Sequence, residues 1–186
     1  MLPKLSDNWG SNLQLLVPVM TTPSVVSTRR NALLELKKID AVQVHYAGKA
    51  KKHYFIVEIF ADSSSFDRAD SEVEQDDARL RRPTIRIERT WLEFVDLRSK
   101  VYKIVRDAHR VEPCAFCTGF MDQVVFGANP NGVLVSLLGG KRLERTLAKF
   151  VDEVLSLTMR HTAIDARGCC AGQTTVPQVV HAFLFK

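Results

Sequence analysis

At Thr90 the apolar spacing of this sequence changes from every second residue to every third or fourth. Before that point three short stretches alternate. In Ile39 to Tyr46, Val42, Val44 and Tyr46 are set against Gln43 and His45; His53 to Phe60 is rich in aromatic and β-branched residues; and in Thr84 to Arg89, Ile85 and Ile87 are set against Arg86 and Glu88. Period two is the signature of a strand with one buried face. After Thr90 the apolar residues Trp91, Phe94, Leu97, Val101, Ile104 and Val105 follow helical spacing, with Arg98, Lys100, Lys103 and Arg106 elsewhere around the helix. Thr90 and Glu93 have the spacing of a capping box, which marks where the helix begins. Strands first and helices afterwards predict an α+β fold, a three-stranded antiparallel sheet packed against a helical subdomain.

The remaining boundaries follow from the same reasoning. Residues 1–38 mix prolines with scattered leucines and read as an N-terminal extension partly packed on the domain, with a short helix over Asn31 to Lys38. Residues 47–52 form a basic, glycine-containing turn suited to a hairpin. The stretch 62–82 is an acidic connection; seven acidic residues between Asp62 and Asp77 leave too little apolar surface to order it. Cys114 to Phe126 is apolar and divides between a short helix and an irregular segment. Asn129 to Gly132 reads as a turn, and Val133 to Leu138 as a short apolar run. Lys141 to Leu157 is a second clear helix, buried along Leu143, Leu147, Phe150, Val151 and Val154. A capping box at Thr175 and Gln178, with Pro177 in the first turn, predicts a closing helix carrying Val179, Val180, Phe183 and Leu184. The domain proper is then 39–186.

Composition constrains the partner only weakly. The chain of 186 residues has a net charge of +5, which suits an anionic partner. No apolar run approaches the length of a spanning helix, and no signal-peptide pattern stands at the N-terminus. A cytoplasmic-type, reducing location is expected, so the four cysteines are read as thiols rather than disulfides. Cys114 and Cys117 form a CxxC pair, and Cys169 and Cys170 follow His161; these five are the residues a metal would use. Small apolar fillers in a reduced core is the preferred reading, and no metal or cofactor is expected. No nucleophile elbow, phosphate-binding loop, zinc-protease helix or dinucleotide-binding glycine pattern is present, so an enzyme is not expected. Aromatics are not interleaved with basic residues as a single-strand nucleic-acid reader requires, so no nucleic acid is expected.

Three motifs carry a resemblance to a known family. Arg89-Thr90-Trp91-Leu92-Glu93-Phe94 closes the third strand, Lys141 to Phe150 followed by Val154 and Leu155 forms a basic and then apolar helix, and Ala182-Phe183-Leu184 lies in the last helix. In this order and spacing the chain resembles the PX (phox-homology) domains, from about residue 39 onward. The resemblance implies a phosphoinositide-binding module that targets membranes peripherally, on endosome-type surfaces, with a lipid headgroup as partner. It nominates Arg89, Lys141, Arg142 and Arg145 as phosphate contacts and Trp91 as the face that stacks on the inositol ring. It also implies that a segment crossing between helices dips apolar side chains into the bilayer, here Phe120 and Met121. The family's key arginine of the strand-three motif is replaced by Thr90, its later phosphate-binding arginine falls on Leu143, and no Lys or Arg lies between Arg110 and Lys141. These departures motivate the alternative, a PX-fold protein-interaction module that has lost specific lipid recognition.

Overall fold

The computed structural model describes residues 25–48, 54–61, 82–130, 140–160 and 170–186. The expectations for 1–24, for most of the turn at 47–52, for the acidic stretch 62–81, for the apolar run 133–138 and for 161–169 lie outside these residues. The elements are α1 (Val25–Leu36), β1 (Ile39–Tyr46), β2 (Tyr54–Ala61), β3 (Ile85–Thr90), α2 (Trp91–Asp107), α3 (Ala115–Phe126), α4 (Gly140–Arg160) and α5 (Ala171–Phe185). The three strands form one antiparallel sheet in the order β1-β2-β3, so the chain has the α+β layout.

Strand register decides which side chains meet the helices. Val44 stands opposite Val57 and Val57 opposite Ile87; Val42, Ile59 and Ile85 form a second row, and Tyr46, Phe55 and Arg89 a third. Directly paired residues point to the same face, so all three rows face the helical layer. Phe55, Val57 and Ile59 on the central strand are buried. The outer face carries Glu58, paired with His45 at 3.5 Å and with Arg86 at 3.7 Å.

Phe94 joins the two layers. It is fully buried, with its ring edge-on to Phe55 of the sheet at 5.7 Å and to Phe183 of α5 at 5.1 Å. The helical spacing of α2 sets Leu97, Val101 and Val105 below it, and α4 contributes Leu143, Leu147, Phe150, Val151 and Val154 to the same core. At the start of α2 the Thr90 amide donates to Glu93 Oε2 at 2.7 Å, as the capping pattern predicts, and the Thr90 hydroxyl donates to the same oxygen at 2.9 Å.

Two helix starts differ from the sequence reading, and one open alternative is decided. Helix α1 begins at Val25 rather than Asn31, and it adds Ala32, Leu33 and Leu36 to the buried apolar set. Residues 115–126 are helical, which resolves the ambiguity there. Helix α5 begins at Ala171, not Thr175. Its N-cap is Cys170, whose amide donates to Gln173 Oε1 at 3.2 Å and whose sulfur accepts from the Gln173 amide at 3.4 Å.

That earlier start places Pro177 inside the helix, where it has no N–H to give the Gln173 carbonyl four residues back. Arg29 of α1, itself buried, donates its Nε to that carbonyl at 3.0 Å. Glu35 and His181 add a carboxylate–imidazole contact between the same two helices.

Phe94→Ala and Phe150→Ala are each expected to lower stability by about 3–5 kcal/mol in denaturant titrations, and a loss below about 1 kcal/mol would contradict this packing. A double-mutant cycle tests the proline contact. Arg29→Met should cost about 1.5–3 kcal/mol, and less in a Pro177→Ala background, where the helix supplies its own donor.

Candidate functional sites: a basic helix start and a thiol–imidazole cluster

The residues nominated for headgroup binding sit on three elements, Arg89 on β3, Trp91 on α2, and Lys141, Arg142 and Arg145 on α4. Arg89 points to the helical side of the sheet, as its register with Phe55 requires. Its Nε and Nη2 donate to the Phe183 carbonyl at 3.0 and 2.8 Å; Nη1 donates to the Glu88 carbonyl at 3.3 Å and lies 3.5 Å from Glu93. The guanidinium also sits 5.3 Å from the centre of the Phe183 ring. Phe183 lies in the last turn of α5, where carbonyls lack an intrahelical partner and the helix dipole favours a cation. Arg89 is therefore a C-terminal cap for α5, delivered from the sheet.

Arg89 also edges a groove of about 440 Å³ between α2 and α5, together with Glu93, Asp96, Lys100 and Lys186. The groove balances carboxylates against cations, and Lys100 is already paired with Asp96 at 2.7 Å. Lys141, Arg142 and Arg145 do not line it. Trp91 is half-buried against the core and donates its indole N–H to the Pro130 carbonyl at 2.8 Å.

The other three nominated cations lie on the first turns of α4. All are exposed, while Leu143 between them is 3% exposed and packs in the core. The α4 start is held against the end of β1: the Tyr46 amide donates to Glu144 Oε2 at 3.0 Å. A Cβ at Gly140 would come within 2.8 Å of the Tyr46 ring, so the close approach requires glycine.

Phe120 and Met121 are not an exposed insertion pair. Phe120 is fully buried against Phe116 with ring centroids 5.0 Å apart, and Met121 is half-buried on the core. Helical phase explains the correction. Phe116, Phe120 and Val124 recur every four residues on the inner face of α3, which turns Val125 (67% exposed) and Phe126 (84%) outward.

The structure brings together a set that the sequence reading had only in part. His109, in the connection after α2, stands beside Cys114 (N-cap of α3), Cys117 in the first turn of α3 and Cys170 (N-cap of α5). One donor atom from each of the four lies within 4.8 Å of all the others. Cys170 Sγ is 3.7 Å from both Cys114 Sγ and Cys117 Sγ. His161 and Cys169 lie outside the described residues. His109 was missed, although its place five residues before Cys114 was visible.

The thiols differ in electrostatic setting. Burial pushes the Cys114 thiol up, but the Cys117 backbone N–H and hydrogen bonds with Cys170, His109 and Cys117 outweigh it and bring the thiol down to about 7. Burial, with the neighbouring Cys170 and Cys114 sulfurs, pushes Cys117 up. Beside Cys117 the space is closed: a Cβ at Gly172 would lie 2.6 Å from its sulfur.

Arg89→Met should lower folding stability by about 1.5–3 kcal/mol in chemical denaturation, because it strips a charged donor from the α5 terminus. An unchanged midpoint would mean that the Phe183 contact is dispensable. The chain matches no protein-family model, no curated protein and no solved structure.

Proposed function

We propose that this chain is a non-enzymatic, PX-like domain that docks peripherally on anionic membranes by contacting phosphoinositide headgroups through the start of α4. The observation that carries this reading is the state of Lys141, Arg142 and Arg145. They are exposed and make no ion pair with another described residue, whereas Arg89 is committed to the Phe183 carbonyl. The one acid among them, Glu144, is engaged by the Tyr46 amide. Guanidinium groups match phosphate oxygens in pairs, and each basic residue near an anionic leaflet adds about 1 kcal/mol of attraction. The exposed Val125 and Phe126 supply an apolar contribution of the kind expected of Phe120 and Met121. The order of hairpin, third strand and helices supports the PX-like reading. No helix among the described residues is long and apolar enough to cross a membrane.

A second reading is favoured by Thr90 and Leu143, which stand where the family has arginines. Leu143 is core rather than pocket, and Arg89 is closed onto α5. A PX-fold interaction module without headgroup recognition would then bind another protein and treat anionic vesicles alike.

Sedimentation with vesicles of phosphatidylcholine, phosphatidylcholine with phosphatidylserine, and a panel of phosphoinositides separates the two. Lipid-dependent pelleting that favours one headgroup supports the first reading; equal, wholly salt-sensitive pelleting supports the second. Replacing Arg142 and Arg145 together by Ala should abolish selectivity, each phosphate contact being worth about 1.5–3 kcal/mol. Phe126→Ser should reduce pelleting with the melting temperature unchanged. Full selectivity in the double arginine variant, or no pelleting of the parent chain at low salt, would sink the headgroup reading.

A further inference from the structure

We propose that His109, Cys114, Cys117 and Cys170 form a structural zinc site, three thiolates and one imidazole around a single Zn²⁺. Zinc is bound tetrahedrally, with Zn–S bonds of about 2.3 Å, so two thiolates on one ion stand about 3.8 Å apart. Cys170 is 3.7 Å from each of the other two sulfurs, and all four donor atoms fall within 4.8 Å of one another. Core packing gives no reason for three sulfurs and an imidazole from four separate positions to converge on one point.

A disulfide does not account for the arrangement. Cys170 is equidistant from two partners, none of the three described cysteines is bonded, and any one bridge would leave a thiol over. A thioredoxin-like pair would use Cys114 and Cys117 alone and would leave Cys170 and His109 unexplained.

The surroundings favour the thiolate form that a metal requires. Cys114 and Cys170 are N-caps of α3 and α5, where helix dipoles favour negative charge. The Gln173 amide donates to Cys170 Sγ at 3.4 Å. Soft sulfur donors with one imidazole select zinc over hard cations. Four protein donors leave no open position for water, which marks a structural rather than a catalytic centre. The ion would staple the end of α2 to the starts of α3 and α5, fastening α5 under the sheet through a link 53 positions long in sequence.

The test uses the full chain, purified under reducing conditions without chelator. Metal analysis by mass spectrometry is expected to find one zinc per chain, lost in Cys114→Ser and in Cys170→Ser and kept in Cys169→Ser. Cobalt exchange should give the ligand-field bands of a tetrahedral site with thiolate charge transfer, and a chelator should lower the melting temperature. His109→Cys should retain the metal and strengthen the charge-transfer band, which loss of folding would not imitate. The site is overturned if the folded parent chain carries substoichiometric metal, or if iron replaces zinc. It is overturned equally if Cys114 and Cys117 are recovered as a disulfide, or if Cys169→Ser releases the metal.

Discussion

Phe94 is the constraint on which the architecture turns. Its ring meets Phe55 of the sheet and Phe183 of the last helix, both edge-on, so three segments far apart in sequence are fastened at one point. Edge-to-face aromatic pairs add directional preference to the burial of large apolar surfaces. The capping contacts of Thr90 and Glu93 start α2 immediately after the strand, which sets the phase that brings Phe94 inward. Once α5 is held there, the Cys170 end of that helix comes to lie beside Cys114 and Cys117. The cluster depends on the aromatic contact through the rigidity of one helix.

A second theme is the use of arginine inside the fold. Arg29 reaches the Gln173 carbonyl, to which Pro177 has no N–H to give, Arg89 reaches the Phe183 carbonyl, and Arg98 donates to the Val124 carbonyl at 2.7 Å. Val124 lies in the last turn of α3, and the Ala128 amide that would have served it donates instead to Glu153 at 2.9 Å. Each arginine satisfies a helix carbonyl that the helix itself leaves open. Guanidinium suits the task, since its apolar stem packs along the core while its fork reaches the oxygen. The consequence for function is direct. A net charge of +5 overstates what is offered to a partner, because several cations hold helices together. Those on the first turns of α4 are placed otherwise: Leu143 anchors that turn in the core and turns its neighbours outward.

The thiol–imidazole cluster and the basic helix start lie on different parts of the helical layer. The cluster lies where three helix termini meet, beside a sheet of three strands among the described residues. The α4 start faces outward beside Tyr46. Stability and recognition, as proposed for the two sites, would thus draw on separate sets of polar residues.

Local patterns in the sequence determined the three strands, the start of α2 and the buried stripes of α2 and α4, because side-chain period and capping depend on neighbours within a turn or a pleat. The same locality explains what it could not supply. Cysteine is not among the preferred N-cap residues, so the start of α5 was placed at Thr175, one turn late. Without the helical phase of α3, Phe120 was indistinguishable from Phe126, although one is core and the other exposed. Arg89 looked like a phosphate ligand until α5 brought the Phe183 carbonyl against it. The CxxC pair and Cys170 were legible as candidates, but their completion by His109 was not, since those donors meet only when α2, α3 and α5 pack end to end. Periodicity is a property of adjacent residues, whereas a ligand set is a property of the path the chain takes through space, and only the tertiary structure decided that path.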